Sequence, residues 1–209
     1  MQIQNPQISN YIDSFYEDQD PLFRELEQLA ISRQFPIIGR QTGRLLWQYA
    51  ALTQAEKVFE CGSGFGYSAL WFSKGMPKNG KIICTDLSTE NLNLAKEIFA
   101  KHRPRVKLET HCGNAIEILD KQTDTFDIIF IDVDKFQYDA CFDAAWPRLR
   151  KGGLLIADNG LWKGSVVNAA PVDESTESVK LFTRRIFKRK DACSSIIPVD
   201  DGVLVAVKI

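Results

Sequence analysis

Val58-Phe59-Glu60-Cys61-Gly62-Ser63-Gly64-Phe65-Gly66-Tyr67-Ser68 is the stretch whose reading decides the fold. A short apolar run ends in a carboxylate, turns through three glycines and enters a helical pattern at Tyr67. Glycine accepts positive φ and lets backbone approach a ligand with no Cβ in between. Two readings fit these residues. One is an ordinary strand-to-helix turn; the other is a nucleotide-cofactor loop at the carboxyl end of the first strand of a doubly wound sheet.

Working outward, Tyr67 to Lys74 continues as a helix and Pro77-Lys78-Asn79-Gly80 turns the chain. Lys81 to Asp86 is a short buried strand ending in an acid. Ser88 is a suitable N-cap for a helix to about His102, with Glu90 in its first turn. Val106 to Thr110 alternates as a strand, and Gly113-Asn114-Ala115 starts another helix. Phe126 to Asp132 is the most apolar strand, followed by a helix to Leu149 that Pro147 is expected to break. Lys151-Gly152-Gly153 reads as a turn, Leu154 to Asn159 as the fifth strand, and Gly160 to Asp173 as a long loop. Ser175 to Lys190 is helical, and Ser195-Val199, Asp200-Asp201-Gly202 and Val203-Ile209 form a closing hairpin.

Upstream, Pro21 to Leu29 and Gly39 to Leu52 carry apolar residues at helical spacing. Between them Phe35-Pro36-Ile37-Ile38-Gly39 is either packing against the sheet or a strap over a cofactor pocket. Alternating strands and helices predict an α/β fold with a doubly wound, mostly parallel seven-stranded sheet, an antiparallel C-terminal hairpin and N-terminal helices. We expect a single domain over 1–209, with 1–52 as a helical cap and 53–209 as the cofactor-binding core.

The composition, 44% apolar and 25% charged, is that of an ordinary globular protein. A net charge of −1 gives no overall electrostatic case for nucleic acid or an anionic membrane. No apolar run is long enough to span a bilayer, and the polar start Met1-Gln2-Ile3-Gln4-Asn5-Pro6 does not read as a signal peptide. Cys61, Cys84, Cys112, Cys141 and Cys193 are odd in number with no C-x-x-C pair, which points to buried reduced thiols and a cytoplasmic location.

In such a sheet ligands gather at the carboxyl strand ends. Glu60, Asp86, Asp132, Asp158 and Asn159 all fall on that edge. Asp86 stands where a carboxylate accepts both ribose hydroxyls. A dinucleotide loop needs G-x-G-x-x-G, but counting from Gly62 the last position is Tyr67. Glu60 ahead of the glycines would repel a pyrophosphate and suits a sulfonium or ammonium, so charge favours S-adenosylmethionine over NAD. Asp132, Asp158 and Asn159 are hard oxygen donors suited to Mg2+ or another divalent cation; otherwise Asp158-Asn159 is a polar turn before Gly160. Lys135, three residues after Asp132, is a general-base candidate beside a cation, or else a solvated lysine at a helix start.

Glu60 to Ser68, Phe130-Ile131-Asp132-Val133-Asp134-Lys135 and Ala157-Asp158-Asn159-Gly160-Leu161-Trp162 follow one another in that order. Together they resemble the metal-dependent class I S-adenosylmethionine O-methyltransferases of the catechol and caffeoyl-CoA type, from about Phe35 to the C-terminus. The longer N-terminal segment and substrate-side insertion of the plant enzymes are not found, so the short bacterial type is the closer likeness. The resemblance implies a Rossmann-like methyltransferase fold. It implies that Glu60, Gly62, Ser63 and Ser68 hold the methionine part of the cofactor with Ile38 from the strap, that Asp86 binds the ribose, and that Asn114 and Ala115 border the adenine. Asp132, also counted among the cofactor contacts, would ligate magnesium with Asp158 and Asn159, and Lys135 would take the proton. Cys61 replaces the family's usual Ile, Leu or Val. The implied activity is methyl transfer to a hydroxyl of a catechol-like or other vicinal-oxygen acceptor, small and aromatic, by a homodimer with the N-terminal helices contributing.

Trp162 is either a wall for a planar acceptor or packing beneath the loop. The basic runs Thr183 to Lys190 and Lys101-His102-Arg103-Pro104-Arg105 read as solvated faces, although short bacterial relatives include enzymes that methylate a hydroxylated uridine in tRNA. His102 and His111 read as structural. Two other classes compete: an NAD-dependent oxidoreductase, disfavoured by Glu60 and Tyr67, and a non-catalytic S-adenosylmethionine-binding module, disfavoured by the intact acid-amide-lysine set.

Overall fold

The computed structural model describes residues 3–16, 21–102, 104–169 and 172–209. Three sequence features fall partly outside these residues: Met1-Gln2 of the polar start, Arg103 of one basic run, and residues 170–171 of the long loop.

Seven strands, β1 (Lys57–Cys61), β2 (Lys81–Asp86), β3 (Lys107–Cys112), β4 (Phe126–Ile131), β5 (Leu149–Ala157), β6 (Ala192–Ile197) and β7 (Val203–Lys208), form one sheet in the order β3-β2-β1-β4-β5-β7-β6. The first five are parallel. Strand β7 inserts antiparallel between β5 and β6, so it is the single strand opposed to the rest, as expected of a closing hairpin. The chain runs outward from β1 to β3, then returns to β4 on the other side of β1. That reversal makes the β1/β4 crevice the topological switch point, where ligands bind in such sheets.

The buried parallel strands read as continuous apolar runs because both faces are covered. Side chains alternate between the faces. Val58, Ile128, Phe130 and Ile156 enter one cluster with Leu46, Leu70 and Phe72, and Phe59, Ile129, Ile131 and Leu155 enter the other with Phe142 and Phe182. The first cluster is covered by α2 (Pro21–Ser32), α3 (Arg40–Leu52), α4 (Tyr67–Gly75) and α5 (Thr89–His102). The second is covered by α6 (Ala115–Asp120), α7 (Tyr138–Arg148) and α8 (Glu174–Phe187).

Several local expectations change. A helix α1, Pro6–Ser14, precedes the expected ones; Asn5 caps it by accepting from Gln7 N at 2.9 Å, and it buries no residue. The lack of a buried stripe explains why no long apolar period marked it. Pro147 does not break α7, because it is the last residue but one of a helix that ends at Arg148, so the ring costs one terminal i−4 bond and there is no further helix for it to interrupt. The expected Lys151-Gly152-Gly153 turn is instead part of β5, with Gly152 at φ 72° beside a register shift between Phe126 and Ile128. A glycine bulge absorbs the turn signal without ending the strand. The long loop holds a 3₁₀ segment, Trp162–Val167, and strand β6 begins at Ala192, earlier than expected. All five cysteines are free; Cys61, Cys84 and Cys141 are buried, whereas Cys112 and Cys193 are exposed, because both belong to the outermost strands β3 and β6.

Candidate active site

A cavity of about 820 Å³ opens over the switch point. Its floor is the glycine turn, its back wall the ends of β2, β4 and β5, and its roof the strap Phe35-Pro36-Ile37-Ile38. Ile38, Gly62, Ser63, Ser68, Asp86, Asn114, Ala115, Asp132, Lys135, Asp158, Asn159 and Trp162 all line it. Every candidate site residue reaches this one space except Glu60.

The glycine turn is dictated by close approach. Gly62 has φ 82°, and a Cβ there would lie 2.1 Å from the Asp132 carbonyl oxygen, so β1 and β4 can exit side by side only with glycine at this position. The turn is tied to β2 by Gly62 N and Ser63 N, which donate to Thr85 O at 3.1 and 2.8 Å. Asp86 accepts from Gly64 N at 3.0 Å through one oxygen, and from Ser88 N at 2.8 Å and Asn91 Nδ2 at 3.2 Å through the other. Asp86 therefore also shapes the loop. Asn114 caps α6 by accepting from Ile116 N at 2.9 Å, which fixes its position at the cavity rim.

Glu60 lies beneath the floor, wholly buried. Its Oε2 accepts from the Cys84 thiol at 3.3 Å, and Oε1 has no hydrogen-bond partner. Burial pushes its carboxyl up to about 7; Ser68, Cys84 and Ser63 offset part of the shift and the Asp132 charge adds to it. A carboxyl raised in the folded state stabilises the fold below the ordinary carboxylate range, and that contribution is lost as pH rises through about 7. In cofactor-free protein the melting temperature of Glu60→Gln, relative to the unsubstituted chain, should climb from about pH 4.5 to about 7 and then level off. A flat difference across that range in scanning calorimetry would show that Glu60 does not titrate there.

At the β4 and β5 ends the polar groups are tightly interlocked. Lys135, only 8% exposed, opens a 3₁₀ turn, Lys135–Gln137, just beyond β4. Its Nζ donates to Asn159 Oδ1 at 2.6 Å, to Tyr138 Oη at 2.7 Å and to Val133 O at 3.2 Å, and lies 3.8 Å from Asp132 Oδ1. Tyr138 Oη in turn donates to Asp158 O at 3.0 Å. Burial lowers the Lys135 ammonium's pKa, and Asp132, Asp158, Asp201 and Asp134 restore part of it. Burial likewise raises Asp132, against the pull of Lys135, and raises Asp158, to which Asp132 adds a like charge. Two neighbouring carboxylates, Asp158 buried and Asp132 partly so, of which Asp132 makes Asp158 harder to ionise, suit a bound cation. Among the described residues no three His, Cys, Asp or Glu side chains form a metal-holding group. The donor set here is two carboxylates and the Asn159 amide.

The Trp162 ring faces the Lys135 ammonium at 5.3 Å, on the cavity wall. Sequence reasoning did not single out Tyr138, or Leu87 and Phe136, which are exposed (74% and 59%) and line the cavity. An apolar residue directly after a strand-end acid or after Lys135 was the available signal. It also read Asp200 and Asp201 only as turn residues. Asp200 Oδ2 accepts from Thr42 N at 2.9 Å and from Thr42 Oγ1 at 2.6 Å, capping α3 and anchoring the strap.

Two residues of the basic run at the end of α8 and just beyond it are engaged in ion pairs: Arg185 with Asp139 and Asp143 at 2.6 Å each, and Arg189 with Asp191 at 2.6 Å. His111 pairs with Glu109 at 2.5 Å on β3, in keeping with a structural role.

A doubly wound sheet with a glycine-turn cavity at its switch point and an acid, Asp86, lining that cavity has the architecture of the Rossmann-like methyltransferase class. The O-methyltransferase family profile matches residues 13–209. The chain belongs to this family and is a class I S-adenosylmethionine-dependent O-methyltransferase. It is 29% identical over 212 residues to catechol O-methyltransferase domain-containing protein 1 of Mus musculus, covering 98% of this chain and 80% of the relative. It is 29% identical over 182 residues to a catechol O-methyltransferase of Niastella koreensis, covering 84% and 82%. The crystal structure of a methyltransferase from Geobacter sulfurreducens superposes with a TM-score of 0.84 at 28% identity, covering 99% of this chain and all of that one.

Proposed function

We propose that the chain methylates a hydroxyl of a small aromatic acceptor carrying vicinal oxygens, with a divalent cation at the acid-amide corner and Lys135 as base. The observation that carries this reading is the buried Lys135 Nζ, bonded to Asn159 and beside Asp132, at one end of a cavity whose other end is the glycine turn. That catechol and caffeoyl-CoA O-methyltransferases stand among the similar proteins supports the acceptor class.

S-adenosylmethionine, when bound, supplies the electrophilic methyl on a sulfonium. Gly62, Ser63, Ser68 and Ile38 would hold its methionine end, with the unpartnered Glu60 oxygen beneath as the negative counterpart; Asp86 would take the ribose, and Asn114 and Ala115 would border the adenine. The fit rests on that orphaned buried carboxylate, which suits a cationic ligand. Magnesium or another divalent cation would be held by Asp132, Asp158 and Asn159, where it would acidify a coordinated hydroxyl. The chain's own part is then plain. Lys135 Nζ, once deprotonated, accepts the hydroxyl proton, while Tyr138 keeps the amine aimed into the cavity. Trp162 packs against the acceptor ring, and the strap excludes water, so orientation supplies much of the rate.

Residues 1–209 would act as one unit, with 1–52 capping the 53–209 core. The exposed Ile8 and Tyr11 of α1, with Phe15 at its C-cap, support a homodimer in which the N-terminal helices take part. Five free thiols support a reducing, cytoplasmic setting. No helix among the described residues is long and apolar enough to cross a membrane.

The test is a labelled-methyl transfer screen over small catechols, caffeoyl thioesters and bulk tRNA, with Mg2+ and with excess chelator. Transfer to a catechol that chelator abolishes is the expected result. Undiminished turnover in chelator would remove the cation from this reading, and transfer to tRNA alone would replace the acceptor.

A further inference from the structure

Asn159, Trp162, Lys163 and Gly164 have φ of 52°, 44°, 54° and 78°. For a tryptophan this region is a steric outlier, and such a conformation persists only where its surroundings over-determine it. The bonds responsible converge on one carboxylate. Asp201 accepts from Asn159 Nδ2 at 3.1 Å through Oδ2 and from the backbone N–H of Lys163 through Oδ1, clamping the turn at both ends. Backbone bonds continue the clamp: Gly160 N donates to Gly202 O at 2.7 Å and Leu161 N to Asp201 O at 3.0 Å. At Gly202, φ 83°, a Cβ would lie 2.5 Å from Leu161 Cγ, so the two turns are packed face to face.

The clamp has a chemical consequence. A carboxylate accepts only, so the Asn159 NH2 must face Asp201, and Oδ1 must face the opposite way. There it meets Lys135 Nζ at 2.6 Å. We infer that Asp201 is a positioning residue: it selects the amide orientation that presents Asn159 Oδ1 to the acid-amide corner, and it holds the left-handed turn that sets Trp162 against Lys135. The neighbouring Asp200 has a different task, because its carboxylate bonds Thr42 on α3. One hairpin tip therefore secures the strap with its first acid and the Asn159 turn with its second.

The cation half of this inference rests on the proposed function; the Trp162 half does not. The test compares Asp201→Ala, Asp201→Asn and, as control, Asp200→Ala in the full chain. Mn2+ binding is followed by electron paramagnetic resonance, and acrylamide quenching of Trp162 is isolated by subtracting the Trp162→Phe partner of each protein. Asp201→Ala should weaken Mn2+ binding about 10–100-fold, the range for groups that orient a ligand, and should raise Trp162 quenching, with S-adenosylmethionine affinity within twofold of the original. Asp201→Asn should lie between, since the two donors use different carboxylate oxygens and the amide replaces one of these with an NH2 that cannot accept. It carries the comparison if the alanine variant does not fold. Asp200→Ala should move neither signal. Unaltered Mn2+ affinity in the Asp201 variants overturns the inference. Should the unsubstituted chain bind no Mn2+, the cation reading falls, and Trp162 quenching alone decides for Asp201: an unchanged value overturns it.

Discussion

Lys135→Ala is expected to slow methyl transfer by about two to four orders of magnitude, the usual contribution of a positioned general base. Among the described residues no other neutralisable amine or imidazole lines the cavity except Lys163, which is exposed, so rescue from these residues is not expected. S-adenosylmethionine affinity should change little by calorimetry, because the glycine turn and Asp86 form the opposite end of the cavity. The deficit should shrink for acceptors of low hydroxyl pKa, such as nitrocatechols, which need less help in losing the proton. Single-turnover rates across an acceptor series would measure this. A deficit independent of acceptor acidity, or turnover within tenfold of the original, would mean that Lys135 is not the base.

Asp158→Ala should abolish transfer by a different route: cation-dependent acceptor binding should vanish with it, whereas it should survive in Lys135→Ala. The apo protein should show the opposite sign in stability. Burial and the Asp132 charge raise the Asp158 carboxyl, so its contribution to folding is present below the ordinary carboxylate range and lost as pH rises through the raised value. Near pH 8 Asp158→Asn should therefore melt at or above the temperature of the unsubstituted apo chain, since it removes a buried charge that stands beside the like charge of Asp132. Loss of activity together with retained or gained stability is the signature of a residue kept for function. A large drop in apo melting temperature at pH 8 would recast Asp158 as structural.

Much of this site was legible in consecutive residues. Glu60 to Ser68 announces a strand, a turn that needs positive φ, and a helix, because each demand is local. The acids Asp86, Asp132 and Asp158 were found at strand ends because a buried parallel strand writes itself as an unbroken apolar run that stops at a polar residue. Asn159 stood beside Asp158 and came with it. By contrast, Lys135 looked at best ambiguous, since nothing local distinguishes a solvated lysine from one that is 8% exposed. Pro147 and Gly152-Gly153 misled for a related reason: breakers act according to where they fall in an element, and tertiary pairing sets where the element ends.

The sequence by itself determined the order of elements, the parallel sheet, the glycine turn and the acids along its edge, all through short-range periodicity and backbone φ. Only the tertiary structure decided that β7 enters between β5 and β6, that Glu60 lies under the cavity floor, and that Tyr138 and Asp201 complete the Lys135–Asn159 corner. The physical reason is separation along the chain. Asp201 reaches Asn159 across 42 positions and Asp200 reaches Thr42 across 158, and such partners leave no periodic trace in either segment.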